Sequence, residues 1–168
     1  MPKDAPTVSI ITATYNRSNV LAYAIGSVVH GTFEDWELLI VGDACTDDSE
    51  EVVASFADER IRFRNFAENT GDQSGPNNHG FDMARGRYIA YLNHDDLWFP
   101  DHLEKTVHAL DTTDADLVFS LGLVAGAQGK NRLTNAAPKG RYEPHFFVPA
   151  SSWVMRREII EDVGLWRH

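Results

Sequence analysis

Residues 87–92 read RYIAYL and run without a break into Asn93-His94-Asp95-Asp96. A short apolar, aromatic run of this length reads as a strand. Two adjacent carboxylates at its end repel each other unless a cation or protons compensate them. For an isolated Asp-Asp pair, one acid capping the next helix and the other solvated is the better reading. Here the pair closes an apolar strand, and the neighbouring segments decide what stands beside it.

Working outward, residues 7–13 (TVSIITA) are apolar and β-branched on both faces, as in a parallel strand covered on two sides, and end at Thr14-Tyr15-Asn16-Arg17. Ser18 or Asn19 is placed to cap a helix in which Val20, Leu21, Ala24, Ile25, Val28 and Val29 recur at helical spacing, with Gly31 to stop it. Residues 36–41 (WELLIV) repeat the strand signal and break at Gly42-Asp43. Asp47 and Glu50 then have the spacing of a capping box for a helix through Val52, Val53 and Phe56. Residues 61–66 alternate as a half-exposed strand, and a Gly-rich stretch over 71–80 leads to a short helix near 81–84.

Beyond the acidic turn, Pro100 suits the first turn of a helix carrying Leu103, Val107 and Leu110. Residues 117–123 read as a strand, 130–149 as loops covering the site edge, 153–155 as a strand, and 157–163 as a helix ended by Gly164. Alternating strand and helix signals make the economical fold class α/β, an open, mostly parallel sheet with helices on both faces. The 168 residues form a single domain, 1–168, by size and by the lack of repeats or low-complexity segments. Ligands of such sheets collect beyond the carboxyl ends of the strands, so the polar breaks at Tyr15, at Asp43 and at 93–96 should open on one edge.

Charge excludes some partners. A formal −10, with −13 carried by the first 129 residues, makes nucleic acid an unlikely ligand. An acidic half that holds a phosphorylated ligand needs a cation between them. Hard carboxylate oxygens beside a cleft suit Mn2+ or Mg2+, with Asp95 and Asp96 the candidate ligands. Asp43, after an apolar strand, is placed to accept hydrogen bonds from a base or ribose, although Gly-Asp is also ordinary turn chemistry. The acidic run Asp47, Asp48, Glu50 and Glu51 reads as a solvated helix start rather than a second metal site.

The seven histidines, at 30, 79, 94, 102, 108, 145 and 168, show no paired ligand spacing, which disfavours zinc. His94 lies in the site turn, as contact or spectator. Gly71, Gly75 and Gly80 do not have dinucleotide-fingerprint spacing, and no Walker loop occurs. Trp98, Phe99 and Trp153 are more often core than sugar platforms, with Trp153 the best platform candidate. Ser151 and Ser152 carry no nucleophile-activating motif. The lone Cys45 reads as a small buried thiol and fits a reducing compartment. No apolar stretch approaches the roughly 18–20 residues that span a bilayer. The expected location is cytoplasmic, with attachment to the inner face of the membrane left open.

Five motifs in order carry a resemblance: Ser9-Ile10-Ile11 into Thr14-Tyr15-Asn16-Arg17; residues 40–47 (IVGDACTD); residues 69–80, containing Asn78; residues 84–89 (ARGRYI); and residues 92–98 (LNHDDLW). Together they resemble family 2 glycosyltransferases over nearly the whole chain, which implies the GT-A fold. The resemblance implies that Thr14, Tyr15, Asn16, Arg17, Asp43, Asn78, Asn93 and Asp95 bind a nucleoside diphosphate sugar, Tyr15 near the base and Asp43 bonded to it. It also implies a metal on Asp95, with Asp96 following. Two positions depart from the family pattern: Gly42 replaces the first acid of the usual Asp-Asp pair, and Asn93 the first acid of the DXD triplet.

The implied reaction is an inverting, metal-dependent transfer from a UDP- or dTDP-linked sugar to a hydroxyl of a glycan or lipid-linked acceptor. Family members continue past the segment resembling 150–166 with the general base and acceptor-side residues, so the chain looks truncated and no base is assigned; Glu143, Glu158, Glu161 and Asp162 match no such motif. Two alternatives stand beside this reading, a noncatalytic nucleotide-sugar-binding module and a purely structural α/β domain. A nucleotidyltransferase lacks its Gly-rich, Lys-containing entry motif here.

Overall fold

The structure is a computed structural model and describes residues 5–136, 140–141, 143 and 147–167. Parts of the expected 130–149 loop, together with His145 and His168, lie outside the described residues. The elements in chain order are β1 (Val8–Thr14), α1 (Ser18–Val29), β2 (Trp36–Gly42), α2 (Ser49–Ala54), β3 (Ile61–Asn65), α3 (Ser74–Met83), β4 (Tyr88–Tyr91) and α4 (His102–Thr112), followed by β5 (Leu117–Phe119), β6 (Gly122–Val124), β7 (Arg132–Thr134), β8 (Trp153–Arg156) and α5 (Arg157–Val163).

Six strands form one sheet in the order β3-β2-β1-β4-β8-β5, and β6 pairs with β7 in a separate ladder. β3, β2, β1 and β4 run parallel, while β8 is antiparallel to both its neighbours. Successive side chains point to opposite faces, so the runs that are apolar throughout bury both. Val8, Ile10, Leu38, Ile40, Tyr88, Ala90 and Val154 pack under α1, α2 and α4. Ile11, Leu39, Ile89, Tyr91 and Met155 form the other face with Phe81 of α3 and Ile160 of α5. The expected open α/β sheet with helices on both faces is the observed architecture.

Several local expectations are corrected. The Gly-rich stretch is not a loop, because α3 begins at Ser74 and runs through it to Met83. Asp72 accepts from the Ser74 backbone and hydroxyl at the helix start, and Pro76 fits the first turn. Gly80 is there for close approach, since a Cβ would stand 2.5 Å from Ile11 Cγ2 of the sheet. The strand expected over 117–123 divides after Phe119. Its partner β8 starts at Trp153, which pairs with Phe119, and the chain then leaves the sheet to form a hairpin whose second strand, β7, lies within the expected loop region.

Neither Ser18 nor Asn19 caps α1. Arg17 occupies the cap position, and Asp47 Oδ2 accepts from the Ser18 amide at 2.9 Å. Asp47 Oδ1 takes the Ser49 hydroxyl at 2.6 Å, so one carboxylate joins the starts of α1 and α2 instead of forming a capping box with Glu50. α2 stops at Ala54, short of Phe56, and α4 starts at His102, two residues after Pro100. Gly164, at φ 90, follows α5 as expected.

Candidate functional site

A cleft of about 560 Å3 opens at the carboxyl ends of β1, β2 and β4. Its wall contains Thr14 at the end of β1 and Tyr15 after it, Asp43 after β2, and Asn93, His94 and Asp95 after β4. The parallel register explains the convergence: Thr14 pairs with Gly42, and β4 lies on the other side of β1. The three polar breaks therefore share one edge.

Tyr15 is half exposed in this wall, and Thr14 is buried with an Oγ1 that has no hydrogen-bond partner. A buried hydroxyl without a partner is costly unless a ligand or water completes it. Asp43 is buried, and its Oδ1 accepts from both the amide and the hydroxyl of Thr70, at 2.8 and 2.9 Å. The Asn69 amide group donates to the Asp43 carbonyl at 2.9 Å. Asp43 thereby fastens the loop before α3, from which Asn69, Gly71, Asp72 and Gln73 supply the remaining wall together with Pro76. Sequence reasoning reached this loop only as part of a motif. Its signal was the NTGDQS string, rich in groups that form tight polar turns.

The two acids after β4 face different surroundings. Asp95 is exposed on the cleft wall. Asp96 is turned inward, its Oδ2 accepting from Ser151 Oγ at 2.6 Å and from Asn93 Nδ2 at 3.0 Å. Ser151 Oγ also accepts from the Asn93 amide at 3.0 Å, while the Ser151 carbonyl takes the Trp98 indole N–H. Ser151 is thus the clasp of the turn that presents Asp95. Of the expected metal pair, Asp95 stands on the cleft and Asp96 holds the turn's shape. Among the described residues no three His, Cys, Asp or Glu side chains gather as a metal cage.

Three other expected contacts also stand elsewhere. Asn16 Oδ1 accepts from the Thr46 and Asp47 amides at 2.8 and 3.3 Å, which ties the turn after β1 to the loop after β2. Arg17 is exposed at the start of α1, outside the cleft wall. Asn78 clamps the backbone of Trp166, donating to its carbonyl at 3.0 Å and accepting from its amide at 2.9 Å. His94 lines the cleft with Nδ1 3.1 Å from the Ala13 carbonyl. Trp98 belongs to the core, stacked on His102, and Trp153 stacks on Trp166 instead of facing the cleft. Cys45 is half-buried, its thiol 3.5 Å from the Thr14 carbonyl.

The sequence profile described as Glycosyl transferase family 2 matches residues 9–164. The chain is 35% identical over 100 residues to the Escherichia coli UDP-Glc:alpha-D-GlcNAc-diphosphoundecaprenol beta-1,3-glucosyltransferase, covering 60% of this chain and 39% of that protein. It superposes on S. aureus TarS 1-349 in complex with UDP-GlcNAc with a TM-score of 0.77 at 17% identity, over 94% of this chain and 47% of the other. The mannosyltransferase PcManGT from Pyrobaculum calidifontis, in complex with GDP-Man and Mn2+, gives a TM-score of 0.74 at 19% identity, over 99% and 49%. At these identities the structural likeness is one of fold, the GT-A fold. The chain spans about half the length of the curated relatives it matches, or less. With a match over most of its length, and a fold and cleft that agree with it, the chain belongs to glycosyl transferase family 2.

Proposed function

We propose that the cleft binds a nucleoside diphosphate sugar, UDP- or dTDP-linked, and that the chain is the donor-binding part of a glycosyltransferase acting on a hydroxyl of a glycan or lipid-linked acceptor. The observation that carries this reading is the convergence of Tyr15, Asp43 and Asp95 on one cleft, with Asp43 Oδ1 already occupied by Thr70. The remaining oxygen of Asp43 is an acceptor suited to the imide N–H of uracil or thymine. Tyr15 offers an aromatic face for the base. The names of relatives support the donor class: the Escherichia coli relative is named for UDP-Glc and a diphosphoundecaprenol-linked acceptor, and TarS was solved with UDP-GlcNAc.

The donor set fits Mn2+ or Mg2+ shared with the diphosphate, since such ions are held by one or two carboxylates plus substrate phosphates. Asp95 is the residue that would hold it, and PcManGT was solved in complex with GDP-Man and Mn2+. When bound, the ion offsets the charge that develops on the departing diphosphate. Ser151, Asn93 and Asp96 keep the Asp95 turn in place. Transfer inverts the anomeric centre when the acceptor hydroxyl attacks opposite the leaving diphosphate. A cytoplasmic location, at or near the inner face of the membrane, belongs to this reading.

Titrating UDP by calorimetry with Mn2+ and then with chelator, on the wild type and on Asp95→Ala, tests the proposal. Metal-dependent binding lost on substitution supports it. Failure of UDP, dTDP and GDP under every condition removes it. A noncatalytic binding module is the second reading. It draws on the cleft wall, which includes none of the late acids Glu143, Glu158, Glu161 and Asp162. Donor hydrolysis or transfer separates the two, because only the enzyme turns over.

A further inference from the structure

The segment after β4 spends part of its polar chemistry on itself. Asn93 Nδ2 donates to Asp96 Oδ2 at 3.0 Å, and the same oxygen accepts from the Ser151 hydroxyl at 2.6 Å. Asp96 stands off the cleft wall, and Asn93, which reaches the wall, has its amide nitrogen committed. Two stronger donors remain on that wall, the Asp95 carboxylate and the His94 imidazole. They are consecutive residues, with Cα atoms about 3.8 Å apart, so side chains that reach the same cleft can meet one ion.

The ring of His94 is prepared for one role. Its Nδ1 lies 3.1 Å from the Ala13 carbonyl oxygen at the end of β1. A carbonyl only accepts, so Nδ1 carries the hydrogen, and Nε2 of the neutral ring carries the lone pair. The bond to β1 fixes the tautomer and the orientation of the ring together, as the outer hydrogen bond of a metal-bound histidine does. The two ring nitrogens point away from each other, so Nε2 faces off the end of β1. It makes no hydrogen bond to a described residue, and, unlike Nε2 of His102, it is not sealed in the core. The lone pair therefore opens on the cleft that His94 lines.

We propose that His94 Nε2 is a second protein ligand of the divalent ion, beside Asp95, and that this nitrogen selects a first-row transition ion such as Mn2+ over Mg2+. The inference rests on the reading of the cleft as a metal-dependent nucleoside diphosphate site. Carboxylate and phosphate oxygens suit both ions. An imidazole nitrogen separates them, because a first-row transition ion accepts it while the harder Mg2+ keeps water in that position. Two protein ligands do not make a cage, in keeping with the lack of any group of three His, Cys, Asp or Glu among the described residues. Diphosphate oxygens and water complete the shell. The competing role is a protonated His94 donating Nε2–H to a phosphate oxygen, which leaves the choice of metal unchanged.

The test is pulsed paramagnetic resonance of Mn2+ and UDP on the whole chain, joined to calorimetry of UDP in Mn2+, Co2+ and Mg2+. The wild-type spectrum should carry nitrogen modulation that shifts when the histidines are isotopically labelled at nitrogen, and that disappears in His94→Ala. UDP affinity should fall about tenfold in this variant with Mn2+ or Co2+, and stay within about twofold with Mg2+. His94→Asn keeps an N–H for the Ala13 carbonyl without an imidazole nitrogen, so it should behave as His94→Ala and separate ligation from loss of that bond. Thermal melts verify that both variants are folded. Metal-dependent UDP binding without histidine nitrogen coupling overturns the role of His94 and leaves the donor-site reading intact. Equal losses with all three ions assign His94 to a phosphate or structural contact and overturn it likewise. If UDP binding by the wild type needs no metal, the proposal and the metal-dependent reading fall together.

Discussion

Thr70 donates its backbone amide at 2.8 Å and its hydroxyl at 2.9 Å to the same oxygen of Asp43. Behind it, a Cβ on Gly75 would lie 2.8–3.0 Å from three Thr70 side-chain atoms, so the threonine is held from both sides. The Asp43 carboxylate is thereby oriented before any ligand arrives. Thr70→Val keeps the amide and loses the hydroxyl, removing one charge-assisted hydrogen bond. UDP affinity should fall about tenfold in this variant and stay near wild type in Thr70→Ser, as read by calorimetry. Equal affinities for all three proteins would show that the hydroxyl does not position Asp43.

Asp95 and Asp96 should separate cleanly on substitution. Asp95→Asn, at an exposed position, is expected to abolish the metal-dependent part of nucleotide affinity and leave the melting temperature unchanged. Asp96→Ala strands Ser151 Oγ and Asn93 Nδ2, costing about 1–3 kcal/mol of stability. Thermal melts and titrations on both variants check this. A melting temperature unaffected by Asp96→Ala would remove its structural role.

If metal and nucleotide share Asp95, Mn2+ should bind weakly alone and tightly once UDP is present. Linkage requires that UDP raise Mn2+ affinity by the same factor by which Mn2+ raises UDP affinity. Mn2+ paramagnetic resonance titrations with and without UDP measure one side of the cycle, and calorimetry the other. Tight Mn2+ binding to the free protein would point to a protein-only cage, which no cluster of His, Cys, Asp or Glu among the described residues provides.

Gly80→Ala gives a stability prediction whose sign is decided by packing. Helix propensity alone favours alanine by about 1 kcal/mol. The new Cβ, however, would meet buried Ile11 at 2.5 Å and push α3 off the sheet. Overpacking of this kind costs about 1–3 kcal/mol, so the variant should unfold at lower urea concentration. A stabilised variant would mean that α3 shifts freely.

Gly80 also marks where sequence reading succeeds and fails. The sheet was legible because Ile10 and Ile11 each need cover on opposite faces, so uninterrupted apolar runs imply two layers of helix. The cleft edge was legible because each polar break directly follows a strand. The helix α3 was not, since glycine reads locally as a breaker while its use here is a contact with Ile11, far away in sequence. Asn16, Asn78 and Asp96 also make contacts within the protein that the sequence does not show, for a related reason. Their partners are Asp47, Trp166 and Ser151, and polar residues in loops look the same whether they meet a ligand or another loop.

His102 makes the chain sensitive to acid. It is buried against Trp98, with ring centroids 4.5 Å apart, and its Nε2 has no hydrogen-bond partner. Burial pushes its pKa down to about 4, against the smaller upward pull of Asp101. The unfolded chain takes up a proton near pH 6.5, which the folded state refuses until about 4. Stability from this residue is therefore full above pH 6.5 and is lost progressively as the pH falls toward 4, by roughly 3 kcal/mol in all. His102→Gln removes the titrating group, so its urea midpoint should drop less between pH 7 and pH 4.5 than that of the wild type. Parallel losses in the two proteins would place the acid sensitivity in other groups.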